Sequence, residues 1–175
     1  HELQTHLAVI RLNSEKLLNT FQPEENSREY VQAIIHTAIK LTGVQKSLML
    51  LSRIGNLEYN KNTNLDLTET VKHSILLFQE AIVIRNITVN SLLERCVLYM
   101  DAGLAEILVS NLIKNAVKHN IENGFINISL SRNSLIVENS GLTFQGNPAT
   151  LFNRFTIGTS GNLGLGLAIV KQICE

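Results

Sequence analysis

The chain has 175 residues, 45% of them hydrophobic, and its 15 Lys and Arg balance 15 Asp and Glu. That length holds one domain or two small ones, and balanced charge without a basic, aromatic-interleaved stripe argues against a nucleic-acid partner. No apolar run approaches the ~20 residues that span a bilayer, Cys96 and Cys174 form no C-x-x-C pair, and His1, His6, His36, His73 and His119 lack metal-ligand spacing. A soluble chain from a reducing compartment, without zinc, is the expectation. The first residue is His rather than Met, which reads as a fragment or a processed product.

From Leu3 the apolar positions Leu7, Ile10, Leu17 and Phe21 step by four and three, with Ser14 filling the gap, which is a heptad seam. Pro23 ends this helix, and after a short polar connection Val31, Ile34, Ala38, Leu41 and Leu48 repeat the seam with Gln45 and Ser52 as polar members. The pattern predicts an antiparallel helical hairpin over 1–56. Val9, Leu18, Ile35, Ile39, Val44 and Leu51 lie off the seam, more apolar surface than one two-helix contact covers, so a second copy completing a four-helix bundle is expected. Equal rise along both helices places His1 near Leu48. Met49, Leu50, Leu51 and Ile54 are then expected to overshoot the first helix as a bare apolar patch.

Residues 57–64, with the run Asn60-Lys61-Asn62-Thr63-Asn64, read as a linker, and 65–175 as a second domain. Asp66-Leu67-Thr68-Glu69 is a helix start, and Val71, Ile75, Phe78 and Ile82 mark the buried face of a helix that ends at Arg85 and Asn86. Two β-prone runs follow, 87–93 and 96–100. The helix predicted over 106–120 carries apolar Ile107, Leu108, Leu112, Ile113, Ala116 and Val117 at three- and four-residue intervals. Asn111 and Asn115 stack on one of its faces, with Lys118 and His119 a turn further on. Two amides there suit a hydrated Mg²⁺ and its phosphates; the alternative is that they decorate a solvated face. Asn123-Gly124 is a turn signal, and strands are predicted at 125–130 and 135–137. The glycine-rich 158–166 opens into a helix over 167–174, where backbone N–H groups can face an anion, although such glycines before a helix more often serve packing or turn chemistry.

Taken together, five segments resemble the motifs of the sensor histidine kinases of two-component signalling. His1-Glu2-Leu3-Gln4-Thr5 is similar to their phosphoacceptor box, 111–115 to their N box and 137–141 to their first glycine box. Leu151-Phe152-Asn153-Arg154-Phe155 is similar to their F box, and Gly164-Leu165-Gly166-Leu167 to their second glycine box. The resemblance covers nearly the whole chain and implies an α+β protein. A dimerisation and phosphotransfer hairpin would precede an α/β sandwich of the GHKL type (the Bergerat fold) that binds ATP and stops short of the family's last strands. It implies ATP-dependent phosphorylation of His1 and transfer to an aspartate of a response regulator receiver domain. The remaining implications are a homodimer and a cytoplasmic place within a sensor whose membrane segments lie outside this chain.

By the same resemblance Asn115, assisted by Asn111, would hold Mg²⁺. Lys118, His119, Asn139, Gly141, Phe152, Phe155, Gly164, Gly166 and Leu167 would form the ATP site. The imidazole of His1 is the implied nucleophile, Glu2 the carboxylate that activates it, and Thr5, four residues on and on the same face, the hydroxyl that orients a water for phosphatase activity. Three departures stand out. Asn139 replaces the family's adenine-binding Asp and lacks its charge, His6 replaces a helix-bending Pro, and the chain is short. Related GHKL-type ATPases carry Glu at the position of Asn111 to activate water, which an amide cannot do, so phosphoryl transfer is favoured over hydrolysis. The competing reading is a non-catalytic dimeric module that binds nucleotide without turnover.

Overall fold

Two long helices build the first part of the chain: α1, Glu2–Phe21, and α2, Glu25–Gly55. The computed structural model describes residues 2–21, 25–142, 144–154 and 164–175, and the chain divides into units 1–52 and 53–175. Helix α1 runs through His6 without interruption, as loss of a proline ring allows. Gln4 Nε2 donates to Met49 Sδ at 3.9 Å, so the two helices run antiparallel.

The heptad seam resolves into two rows. Leu7, Val31 and Ala38 are buried within the hairpin, whereas Leu3, Ile10 and Leu17 on α1 and Ile34, Leu41 and Leu48 on α2, each set seven residues apart, are exposed. A single two-helix contact covers only one row of a two-row stripe. The expected overshoot is corrected in part. Met49 lies beside Gln4 rather than beyond the start of α1, and Leu51 and Ile54 are buried. The pairing is offset by about one turn from the register that equal rise along both helices across a short connection implied, because the connection does not set the two helices level.

In the second unit, 62–64 belong to a strand rather than to a linker. β1, Asn62–Asp66, pairs antiparallel with β3, Val97–Asp101, in a two-stranded sheet. Its outward Asn and Thr side chains left no alternation to read, but the backbone is paired, and Asp101 Oδ2 accepts from Lys61 N at 3.2 Å. Upstream of the strand, Arg53 Nε meets Glu58 Oε2 at 2.9 Å and its guanidinium lies 5.1 Å from the centre of the Tyr59 ring. Asp66 caps α3, Leu67–Leu77, accepting from Thr68 N at 3.0 Å. The helix expected to continue to Ile82 breaks at Phe78 and resumes as α4, Gln79–Ile84.

Strand β2, Thr88–Leu93, lies parallel to β4, Phe125–Leu130, which pairs antiparallel with β5, Leu135–Asn139. The two strands immediately before α5, Ala102–Lys118, which are β2 and β3, therefore enter different sheets. Parallel pairing of β2 with β4 requires a crossover, and α5 belongs to it. β4 alternates as read, with Ile126, Ile128 and Leu130 buried. These side chains join Val71 of α3 and Val109, Ile113 and Val117 of α5 in one core. Beyond β5 come a short 3₁₀ helix, Pro148–Phe152, capped by Asn147, and α6, Gly166–Cys174. Among the described residues no helix is long and apolar enough to cross a membrane.

Candidate functional site

Helix α5 carries the centre of the site. Asp101 starts it by accepting from Gly103 N at 2.8 Å and Leu104 N at 3.3 Å. Its buried stripe is Ala105, Val109, Ile113, Ala116 and Val117, with Ile107, Leu108 and Leu112 only half-buried. Of the apolar positions at helical spacing, Ile113, Ala116 and Val117 thus belong to the core, and Ile107, Leu108 and Leu112 border it. Asn111 and Asn115 flank the stripe, both half-buried.

Asn111 donates through Nδ2 to Ile107 O at 2.8 Å, which leaves Oδ1 as its free end. That oxygen faces α6: a Cβ placed on Gly166 would stand 3.2 Å from it. Helix α6 starts at Gly166, one residue earlier than predicted, with Leu165 as its half-helical neighbour and Gly164 at φ 58°, a left-handed value that suits glycine. Leu167 is half-buried in the first turn, and Ala168, Ile169 and Val170 anchor the helix. Phe152, at the end of the 3₁₀ helix, and Arg154 line one cleft with Ala168 and Lys171 of α6.

At the other end of α5, His119 closes the helix by donating its N–H to Asn115 O at 3.0 Å. Partial burial of the ring, and then the Lys118 charge, hold its pKa below the ordinary 6.5. Lys118 lies at the surface. The first glycine box approaches here. A Cβ on Gly141 would stand 2.6 Å from His119 O and 3.3 Å from Asn139 Nδ2, so only glycine permits the approach. The structure thus brings together Asn111 with Gly166, and His119 with Gly141 and Asn139.

Four of the predicted residues are placed otherwise. His1 and Phe155 lie outside the described residues, as do 158–163 of the glycine-rich stretch. Glu2 and Thr5 lie in α1, in the other unit.

Sequence reading missed Arg85. Its guanidinium donates to Val117 O, to Lys118 O at 3.3 Å and to Asn120 O, so a cation sits on the carbonyl end of α5. Asn120, also missed, is buried and bonds Phe125 O through Nδ2 at 2.9 Å. The only available signal was a polar residue following a helix, and many surface turns share it.

The donor set fits Mg²⁺. Asn111 Oδ1 is a neutral oxygen held toward the start of α6, with Asn115 one turn on, and a hard cation takes oxygen ligands while keeping waters and substrate phosphates. Among the described residues no group of three His, Cys, Asp or Glu side chains could hold a metal.

Residues 100–175 match the family described as Histidine kinase-, DNA gyrase B-, and HSP90-like ATPase. Over its full length the chain is 28% identical to the "Heme sensor protein HssS" of Staphylococcus saprophyticus subsp. saprophyticus and covers 40% of it. The chain therefore spans about two fifths of the length of this relative. Among solved structures, full-length ShkA in complex with AMPPNP aligns with 99% of this chain and 38% of its own, at 20% identity and a TM-score of 0.71. Histidine kinase ThkA in complex with the response regulator protein TrrA aligns with 99% of this chain and 54% of its own, at 22% identity and a TM-score of 0.62. At such identity these structures establish a shared fold.

Proposed function

We propose that the chain is a sensor histidine kinase with a GHKL-type ATP-binding domain, that it phosphorylates His1 from ATP and that it passes the phosphoryl group to an aspartate of a response regulator. The observation that carries this reading is the meeting of Asn111 Oδ1 with Gly166 at the start of α6, which joins a neutral oxygen ligand to a helix N-terminus in one place. Backbone N–H groups at that N-terminus attract phosphate oxygens. Asn115 and Asn111 would hold Mg²⁺, whose charge supplies neutralisation of the phosphates. Asn139, Gly141, His119 and Lys118 would surround the nucleoside, with Phe152, Phe155, Gly164 and Leu167 closing the phosphate side.

In this reading His1 attacks the γ-phosphorus through a neutral imidazole nitrogen, ADP leaves, and Glu2 accepts the ring's other N–H and raises its nucleophilicity. Thr5, one turn further on, orients a water for removal of phosphate from the regulator. The complex of ThkA with its regulator supports a receiver domain as partner, and the AMPPNP complex of ShkA supports ATP. The exposed heptad rows of Ile10 and Leu41 support a homodimer. We place the chain on the cytoplasmic side of a membrane-bound sensor.

The test is incubation of the protein, extended upstream of His1, with γ-labelled ATP and Mg²⁺. Acid-labile label is expected in the wild type and absent in His1→Gln. Label that survives His1→Gln overturns the assignment of the nucleophile. A well-folded wild type that binds ATP and takes up no label supports the non-catalytic reading instead.

A further inference from the structure

Every polar group of Ser140 is engaged. Its Oγ donates to Asn120 Oδ1 at 2.6 Å and accepts from Phe125 N at 2.7 Å, its N donates to Phe125 O at 3.1 Å, and its carbonyl oxygen accepts from Asn139 Nδ2 at 2.8 Å. Asn120 in turn is buried and donates to Phe125 O. Two glycines leave room for this junction. A Cβ on Gly124 would stand 2.2 Å from both Asn120 Oδ1 and Ser140 Oγ, and one on Gly141 would meet His119 O and Asn139 Nδ2. The end of α5, the start of β4 and the residue after β5 are thereby held in one register.

The consequence falls on Asn139. A carboxylate at this position offers acceptors whichever way it turns, but an amide offers an acceptor in one orientation and a donor in the other. Because Nδ2 is committed to Ser140 O, Oδ1 is the end left to meet a ligand. We propose that Ser140, fixed by Asn120 and Phe125, is a positioning residue that presents the oxygen of Asn139 to the nucleobase, so that the site selects a ring bearing an amino group over one bearing a carbonyl. This rests on the nucleotide-binding reading above and adds a specificity determinant to it. An unanchored amide turns over freely and meets a 6-oxo purine with its NH₂.

The test is calorimetric titration of the chain with Mg²⁺ and either ATP or inosine triphosphate, which carries an oxygen where adenine carries its amino group. The wild type is expected to prefer ATP. Ser140→Ala is expected to lower that preference about five-fold, the effect of one neutral hydrogen bond, and Ser140→Thr, which keeps the hydroxyl, to restore it. In an Asn139→Asp background there is no amide to orient, so Ser140→Ala is expected to leave the ATP-to-inosine-triphosphate ratio unchanged, an outcome that simple loosening of the loop does not give. Asn120→Ala removes the acceptor for Ser140 Oγ and reads the same link should Ser140→Ala fail to fold. A Ser140→Ala or Asn120→Ala protein that folds and keeps the wild-type preference overturns the inference alone. A wild type that binds neither nucleotide overturns the reading beneath it as well.

Discussion

Asn111 and Gly166, fifty-five residues apart in the chain, meet so closely that a methyl group on Gly166 would lie 3.2 Å from Asn111 Oδ1. That spacing is tighter than ordinary van der Waals contact, so the amide must shift by a few tenths of an ångström to admit it. Gly166→Ala is therefore expected to leave thermal stability unchanged or slightly raised, since Ala favours a helix by roughly 0.5–1 kcal/mol over Gly. Its nucleotide affinity is expected to fall. Melting curves beside nucleotide titrations check the pair of effects, and an unaltered affinity would show that the amide's position is unimportant.

Asn115→Ala is expected to abolish phosphorylation of His1 while the fold persists, because Asn115 is half-buried beside the core stripe rather than within it. Ile113→Ala, at a position only 1% exposed, is the structural counterpart and is expected to cost about 2–5 kcal/mol of stability. Circular dichroism with labelled ATP separates the two. Normal label in a folded Asn115→Ala protein would remove Asn115 from the metal site.

Thr5→Ala is expected to slow loss of phosphate from a phosphorylated cognate regulator and to spare labelling of His1. The two rates, measured on the same preparation, decide the point. If both fell together, the hydroxyl would not be acting on the regulator's phosphate alone.

Leu41→Lys is expected to weaken self-association at least about tenfold, because a buried leucine contributes roughly 1.5–3 kcal/mol and the change occurs in both copies. Leu41 belongs to the exposed heptad row, so helicity of the single hairpin should survive. Sedimentation over a range of concentrations reads the change; an unaltered dimer would place the interface elsewhere.

Stability should depend on pH through His119. Its folded-state pKa lies below 6.5, so the unfolded chain takes up the proton first as pH falls. The contribution of the neutral ring is complete above about pH 6.5 and is lost as pH drops through the folded value. Denaturant titrations at about pH 7.5 and about pH 5.5 should show a larger acid loss in the wild type than in His119→Asn. Equal losses would mean that the ring's surroundings do not disfavour its charged form.

Much of this architecture was legible in the residues themselves. The spacing of Leu7, Val31 and Ala38 specifies a hairpin, and the alternation of Ile126, Ile128 and Leu130 specifies a strand, because helical and extended periods sort side chains by face before any long-range contact forms. The Asp66 cap and the Asn123-Gly124 turn were equally local, the latter with Asn123 at φ 56°. Non-local pairing carries no such signature. β1 hid behind polar side chains because its ladder with β3 is made by the backbone, and the separation of β2 and β3 into different sheets depends on a crossover through α5. Which heptad row turns inward, and that Met49 lies beside Gln4, depended on how two helices settle against each other. So did the site: the N box and glycine boxes could be read as strings, but the grip of Arg85 on the end of α5 and of Ser140 on Asn120 arises only when distant turns are packed within hydrogen-bonding reach.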